Sequence, residues 1–237
     1  MKKQLIFCTV LCLMLNIPAF SNSERGYINS NAIVEKELSP DTVELSVAVV
    51  TYDAKSLQTA SAENKMLSDK IYNALNEMID NNNGDYVKTS NYNAQPIYVY
   101  VNGKRNFEKY QVSNRVVVHT KNIKQTGNFI DKAIQLGATN VDSIRFSLSS
   151  YENYCDEMLI EATVKSKNKA LALAKASGAE LAGVKSLNVS CNTTGNNSRI
   201  MYNSLAKSEA MDSAITTPIT SGIIKLHADV NASYFVK

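Results

Sequence analysis

Alternation of apolar and polar residues predicts the first two strands of the chain. Gly26 to Leu38 is rich in Ile, Val and Tyr and alternates loosely. Thr42 to Thr51 is predicted to be a half-buried strand, with Val43, Leu45, Val47 and Val49 on one face and Glu44, Ser46, Ala48 and Val50 on the other. Ser39-Pro40-Asp41 between them has turn residues, because Pro presets φ and Asp bonds its own backbone. We therefore expect these two strands to form a hairpin.

Three segments have the periodicity of helices. Leu57 to Met78 repeats apolar residues every three or four positions and places Asn64 on that stripe. A buried Asn must be hydrogen-bonded, so we interpret Asn64 as a structural residue rather than a ligand. A short helix is expected from about Ile123 to Leu136, ended by Gly137. A second long helix, from about Tyr154 to Gly178, has a stripe of small residues at Ala162, Ser166, Ala170, Ala174 and Gly178.

The remaining strands include a second, longer hairpin. Tyr86 to Val101 and Tyr110 to Thr120 are strand-like, and Asn102-Gly103 between them is a strong tight-turn signal. Further alternating strands are predicted at Val141–Leu148, Val184–Cys191 and Ile223–Val236.

This order of elements predicts an α+β fold, with antiparallel hairpins and sheets packed by two long helices and one short helix. Strand–strand–helix units recur, so we expect two intertwined α+β lobes within one domain over residues 22–237. Asn192 to Thr220 is rich in Ser, Thr and Asn and weakly periodic. We predict a mobile excursion there, with one helical turn around Ser204 to Met211.

The first segment has the pattern of a secretory signal peptide. Lys2 and Lys3 precede an apolar run from Leu5 to Leu15, and small residues follow up to Ser21. The run is shorter than the roughly 20 residues that a spanning helix needs. We predict a signal peptide over residues 1–21, cleavage after Ser21, and a periplasmic or secreted protein. An uncleaved N-terminal anchor is the alternative.

Composition excludes several classes of protein. The 237 residues are 44% hydrophobic and 20% charged, which is typical of a folded globular chain. The net charge of +3 falls to about +1 (3 − 2) without Lys2 and Lys3, too little to attract nucleic acid. No later stretch is long and apolar enough to span a membrane. We expect neither a nucleic-acid partner nor a membrane span after signal removal.

Two cysteines remain after signal removal, Cys155 and Cys191. Export exposes them to oxidising conditions, so a disulfide is possible. A helix of about 24 residues from Cys155 is roughly 36 Å long, whereas a strand from Val184 to Cys191 covers only about 26 Å. A bridge requires Cα atoms within roughly 7 Å. A disulfide and two separate thiols therefore both remain open.

No motif carries catalytic or metal chemistry. The two histidines, His119 and His227, lie in predicted strands, and the sequence has no H-E-x-x-H, Cys-x-x-Cys, G-x-S-x-G, P-loop or dinucleotide fingerprint. We therefore assign no catalytic residues, no metal ligands and no cofactor. A hydrolase with a triad assembled in space around either histidine is the remaining catalytic alternative.

Tyrosines cluster around the second hairpin, at Tyr92, Tyr98, Tyr100 and Tyr110. Such rings can form a stacking platform for a sugar or a base. Because Tyr has an apolar body and a polar tip, an aromatic strand face in a core or subunit interface is the favoured interpretation.

A series of short motifs resembles the SIMPL-domain family of exported bacterial proteins. The series includes Pro40-Asp41, Lys88-Thr89-Ser90 before Pro96-Ile97-Tyr98, Gly137-Ala138, Leu173-Ala174 with Gly178, Gly183-Val184 and Thr217-Pro218-Ile219. The matching positions are turn, core and packing residues: Pro40, Asp41, Asn64, Thr89, Gly137, Ala174, Gly178 and Gly183. The resemblance implies an α+β protein of the periplasm without established catalytic residues. Members are linked to oxidative-stress defence and to immunogenicity, and at least one forms a large ring-like oligomer.

Together these features predict a non-enzymatic protein of the cell envelope with a stress-related role. We expect it to form homo-oligomers through strand edges and the second hairpin. The alternative is a periplasmic binding module, in which a groove beside Tyr92 to Tyr110 captures a peptide or a small apolar ligand.

Overall fold

The computed structural model describes residues 25–194 and 216–237. In this part of the chain the strands are β1 (Tyr27–Leu38), β2 (Thr42–Asp53), β3 (Tyr86–Val101), β4 (Lys104–Thr120), β5 (Asn140–Ser147), β6 (Leu181–Thr194) and β7 (Ile224–Val236). The helices are α1 (Leu57–Asn76), α2 (Thr126–Gln135) and α3 (Tyr151–Ala176). The predicted signal peptide and the predicted turn around Ser204 to Met211 lie outside the described residues.

The strands form two antiparallel sheets. Sheet A has the order β1-β7-β6, and sheet B has the order β3-β4-β2-β5. Helix α3 packs on sheet A, and helices α1 and α2 pack on sheet B. This is the predicted α+β fold, with two long helices and one short helix. None of the described helices has both the length and the apolar character needed to cross a membrane.

Each sheet has its own apolar core on the side that the helices cover. In sheet B, the alternating Val and Leu side chains of β2 and β4 pack against α1 and α2, around Ile71, Leu75 and Phe129. In sheet A, Leu226, Ala228, Val230 and Ala232 of β7 pack against Met158, Ala162 and Ala170 of α3. Alternation accounts for the apolar face beneath the helices, and in the middle of sheet B the residues Ser46, Ala48 and Val117 of the other face are buried too.

The expected hairpin between the first two strands does not form. β1 pairs with β7, whereas β2 pairs with β4 and β5. The backbone N–H of Asp41 donates to Ser147 O (3.0 Å), and its carboxylate accepts from the backbone N–H and hydroxyl of Ser149 (both 2.7 Å). These bonds hold Asp41 where β5 leads into α3. The chain at Pro40-Asp41 therefore crosses from sheet A to sheet B instead of reversing.

The second hairpin forms around the predicted turn. Asn102 and Gly103 have φ values of 52° and 76°, as a type I′ turn requires. Pro96 lies within β3, which is an edge strand, so its missing N–H interrupts no second ladder.

The stripe of small residues brings α3 close to sheet A. Ala162, Ser166, Ala170 and Ala174 are almost completely buried. The Ser30 hydroxyl donates to Ser166 O (2.9 Å), and the Ser166 hydroxyl donates to Ser30 O (3.2 Å). These reciprocal hydrogen bonds to the backbone are possible because the small side chains of Ser30 and Ser166 let β1 and α3 approach closely.

Cys155 and Cys191 form a disulfide, with their Cα atoms 5.7 Å apart. β6 begins at Leu181 and α3 ends at Ala176, so the segments on either side of the turn are of similar length. From Cys155 to Ala176 the helix covers roughly 32 Å, and from Leu181 to Cys191 the strand covers roughly 33 Å. β6 also continues to Thr194, so the segment predicted to begin a mobile excursion at Asn192 is still strand.

Asn64 of α1 is completely buried and hydrogen-bonded to two strands. Its Nδ2 donates to Val49 O of β2 (2.9 Å) and to Val112 O of β4 (3.1 Å), and its Oδ1 accepts from Ser68 Oγ (3.3 Å). The amide thus fixes α1 against two neighbouring strands of sheet B.

The segment around Thr217-Pro218-Ile219 docks on α2. Asp131 accepts hydrogen bonds from the backbone N–H of Thr217 (3.1 Å) and from its hydroxyl (2.5 Å). The carbonyl oxygen of Thr217 lies so close to Gly127 that a Cβ there would meet it at 2.3 Å. Position 127 therefore requires glycine, because the Thr217 backbone approaches it too closely for a side chain. This contact holds the segment that leads into β7 against α2.

We expect loss of the disulfide to destabilise the protein strongly. For a sequence separation of 36, the chain-entropy model predicts a decrease of about 3–4 kcal/mol in the free energy of unfolding. Urea unfolding of residues 22–237 and of the Cys155→Ala/Cys191→Ala variant measures this difference. Reduced wild-type protein should match the variant. Equal stability of all three samples would show that the bridge contributes nothing.

We expect Asn64→Ala to lower the free energy of unfolding by roughly 1–3 kcal/mol, because it leaves buried strand carbonyls without a donor. Asn73→Ala, at an exposed position of the same helix, is the matched control and should be neutral or slightly stabilising. Urea unfolding checks both variants. Similar values for both would contradict the structural role assigned to Asn64.

Candidate interaction surfaces

The second hairpin extends beyond the rest of sheet B as a two-stranded arm, Pro96–Tyr110. β2 ends at Asp53, which lies opposite Tyr110 of β4. The Asp53 carboxylate accepts from the backbone N–H groups of Lys55 and Ser56 (2.7 and 2.6 Å), and these bonds lower the pKa of Asp53. The turn directs the chain into α1, so the arm continues without β2 beside it.

Three of the four predicted tyrosines lie on this arm. Tyr98 is 39% exposed and lies opposite Phe107, with the ring centroids 6.0 Å apart. Phe107 also contacts Tyr110, at 4.9 Å between centroids. Tyr100 is the most exposed of the three, at 74%. The guanidinium of Arg105 lies 3.8 Å above the Tyr98 ring, in cation–π geometry.

Tyr92, the fourth of these tyrosines, lies outside the arm. It follows Asn91, which has a φ of 54° at an irregularity in the β3–β4 pairing. Its hydroxyl is 2.8 Å from the Ser61 hydroxyl of α1. Tyr92 therefore contacts the helical layer, and the four tyrosines do not form one continuous platform.

Sequence reasoning missed three apolar residues of the arm: Val99, Val101 and Phe107. Val99 is 39% and Val101 is 52% exposed, on the face opposite Tyr98 and Tyr100. The signal was the uninterrupted apolar run from Ile97 to Val101, directly before the Asn102-Gly103 turn. A run that is apolar at successive positions does not show by itself which of its two faces is covered.

A second surface lies along β6, at the edge of sheet A. Leu187, Val189 and Cys191 lie opposite Ala232, Val230 and Ala228 of β7, which form the core beneath α3. The β6 side chains thus point to the α3 side, yet Leu187 remains 46% and Val189 49% exposed. Helix α3 does not extend far enough across the sheet to cover them.

The opposite face of sheet A is polar. A shallow cavity of about 310 Å³ lies on it, lined mainly by Asn29, Asn31, Ser186, Asn188, Asn231 and Ser233. Lys225 and Glu37 form an ion pair on the same sheet, and this carboxylate raises the pKa of Lys225. A second cavity of similar volume lies beside β1 and α3 and is lined largely by charged side chains. None of the four tyrosines lines either cavity.

The two histidines lie in different sheets. His119 of β4 stacks on Tyr86, with ring centroids 4.9 Å apart. Nδ1 of His227, in β7, is 3.2 Å from Glu35 Oε1. Neither makes a hydrogen bond to a Ser, Thr or Cys side chain within residues 25–194 and 216–237. The same part of the chain contains no group of three or more His, Cys, Asp or Glu side chains placed to hold a metal ion.

The residues that carried the family resemblance have structural positions. Asp41 connects the sheets, Asn64 fixes α1, Thr89 pairs with Val116, and Ala174 is a buried residue of α3. Positive φ values of 105°, 74° and 142° occur at Gly137, Gly178 and Gly183.

Curated relatives are similar over part of their length. Proteins named "26 kDa periplasmic immunogenic protein" from Brucella melitensis biotype 1 and Brucella abortus strain S19 are each 26% identical to this chain over 152 residues. The aligned region is 62% of this chain and 59% of each relative, so the chain spans about three fifths of their length.

The family comparison covers almost all of the two-sheet fold. The model of the SIMPL family, described as a protein of unknown function (DUF541), matches residues 28–234. This range begins in β1 and ends in β7, so it includes both sheets and all three described helices. The chain therefore belongs to the SIMPL family.

Proposed function

We propose that this chain is a non-enzymatic, exported protein of the periplasm that self-associates through the open edge of β6. Its family membership, the periplasmic names of its relatives and the signal-peptide pattern of residues 1–21 support export. The observation that carries the assembly proposal is the unprotected apolar edge of sheet A.

Edge strands normally carry features that prevent them from pairing with another chain. β1 contains Glu35, Lys36 and Glu37, β3 contains Lys88 and Pro96, and β5 contains Asp142 and Arg145. β6 carries one charged residue, Lys185, at its irregular start. The Lys185 Nζ lies 3.4 Å from the centroid of the Tyr27 ring. The next nine residues, 186–194, contain neither charge nor proline.

The side chains of β6 also suit a second β6 strand. A twofold axis perpendicular to the sheet aligns two β6 strands antiparallel and leaves both α3 helices on the same face. Leu187 and Val189 of both copies then share the α3 side, and Asn188 and Ser190 share the polar side. The uncharged segment 186–194 places no like charges opposite each other. The result is a continuous six-stranded sheet in which the apolar Leu187 and Val189 of the two copies lie side by side.

The alternative role, capture of a peptide or a small apolar ligand, would use the tyrosines of the arm. Ligand sites are usually concave and enclose most of the ligand. The arm is a two-stranded ribbon, and its tyrosines line neither of the two cavities described above. The exposed apolar edge of β6 therefore favours assembly over ligand capture.

We expect Leu187→Lys/Val189→Lys to abolish self-association, because it places charges on the face that the second copy would cover. Light scattering with size-exclusion chromatography of residues 22–237 should show a multiple of the chain mass for the wild type and a single chain for this variant. Val164→Lys, on the solvent side of α3 where Val164 is 52% exposed, is the matched control and should keep the wild-type mass. A strictly monomeric wild type at micromolar concentration would overturn the proposal.

For the physiological role, we propose defence against oxidative or envelope stress, which the family resemblance implies. A strain lacking this protein should be more sensitive to hydrogen peroxide or to detergent than its parent. The wild-type chain should restore growth, and the Leu187→Lys/Val189→Lys variant should restore it less well if assembly is needed. Equal survival of parent and deletion strain under both stresses would refute this role.

A further inference from the structure

The tip of the arm, Tyr98–Phe107, exposes apolar side chains on both of its faces. Tyr98, Tyr100 and Phe107 lie on one face, and Tyr100 is 74% exposed. Strand side chains alternate, so Val99 and Val101 point to the opposite face. Exposed apolar patches usually mark a surface that something else covers. Here that partner must cover both sides of a ribbon that is only two strands wide.

A flat protein surface covers one face of such a ribbon and leaves the other in water. The interfacial region of a lipid bilayer, in contrast, surrounds a short projection that enters it. From Tyr98 to Val101 the arm is roughly 10 Å long, comparable to the depth of about 5–10 Å to which interfacial segments are buried. Pairing between the two strands, from Tyr98–Phe107 to Val101–Lys104, provides hydrogen-bond partners for part of the backbone N–H and C=O groups of the tip. Groups on the outer edges still need polar partners, which restricts the tip to the headgroup region.

The charges of the arm fit an anionic lipid surface. Lys104 and Arg105 follow the turn directly, whereas Glu108, the one acidic residue between Tyr98 and Tyr110, forms an ion pair with Lys109 further down the strand (3.5 Å). Lysine and arginine keep their charged ends at the headgroups while their stems lie against apolar surface. Tyrosine rings are also enriched at this depth, because one end is apolar and the other polar. Tyr100 pairs with Arg105 and Val101 with Lys104, so apolar and basic side chains lie at the same level of the tip, as the mixed polar and apolar headgroup region accommodates.

We propose that the arm tip binds the surface of bilayers that contain anionic phospholipids, with Tyr100 and Val101 entering the headgroup region. This surface is separate from the β6 edge and does not depend on the assembly proposed above. It gives the exported chain a means of attachment to a membrane without a spanning segment.

Fluorescence gives a direct test, because the chain contains no tryptophan. Tyr100→Trp in residues 22–237 is mixed with vesicles of phosphatidylethanolamine and phosphatidylglycerol, or with vesicles of phosphatidylcholine alone. The emission should shift to shorter wavelength with the anionic vesicles and be quenched by lipids brominated near the headgroup. Ile160→Trp, at a 67% exposed position of α3, is the matched control and should show neither effect.

Co-sedimentation with the same vesicles tests the side chains separately. Tyr100→Ser/Val101→Ser should weaken binding by about tenfold or more, because the inserted apolar area is lost. Lys104→Gln/Arg105→Gln should also weaken binding and reduce its dependence on salt. Ile160→Ser should bind like the wild type.

Three results would overturn the proposal. The first is an unchanged Tyr100→Trp spectrum with anionic vesicles. The second is a shift that occurs without lipid and grows with protein concentration, which would assign the tip to a socket in a second copy. The third is equal sedimentation of the wild type and Tyr100→Ser/Val101→Ser. A Tyr100→Trp chain that also carries Leu187→Lys/Val189→Lys should keep the spectral shift. Failure of the assembly proposal can therefore be distinguished from failure of the lipid-binding proposal.

Discussion

The surfaces of this protein follow from the difference between the width of a helix and the width of a sheet. A helix with its side chains is about 10–12 Å wide, and neighbouring strands are about 4.8 Å apart. α3 packs closely on β1 and β7, because Ala162, Ser166 and Ala170 bring it near the sheet and Ser30 and Ser166 bond each other's backbone. One helix in that position leaves the outer side chains of β6 uncovered. The exposed Leu187 and Val189 are therefore a consequence of close packing elsewhere.

In sheet B, side chains are left uncovered because neighbouring elements differ in length along the strand direction. β3 and β4 have 16 and 17 residues, whereas β2 has 12. α1 starts at Leu57, just after β2 ends at Asp53, so neither β2 nor the helix accompanies the hairpin to its turn. The arm is the part of the hairpin that extends beyond β2 and α1. Its apolar side chains are exposed because nothing in the described part of the chain lies beside them.

Specific polar and covalent contacts hold the helices and crossings in place. Asp41 links the crossing between the sheets to Ser147 and Ser149, and Asp131 holds Thr217 on α2. The disulfide from Cys155 to Cys191 attaches β6 to α3. β6 has few buried side chains of its own, so this bond contributes to keeping the edge strand in register. These contacts account for family motifs that otherwise carry no recognisable chemistry.

The sequence determined the elements of this protein, because local periodicity and turn residues are local properties. The alternation of Val43, Leu45, Val47 and Val49 identified β2, the spacing of Ala and Ser identified the contact face of α3, and Asn102-Gly103 identified the second hairpin. It also indicated that Asn64 needs partners, since a buried amide cannot remain unpaired. Only the tertiary structure decided that β1 and β2 separate into two sheets, that Cys155 meets Cys191, and that apolar side chains of β6 and of the arm remain exposed within the described part of the chain. Pairing and burial depend on which distant segments lie side by side, and an alternating apolar strand has the same pattern whether or not a helix covers it.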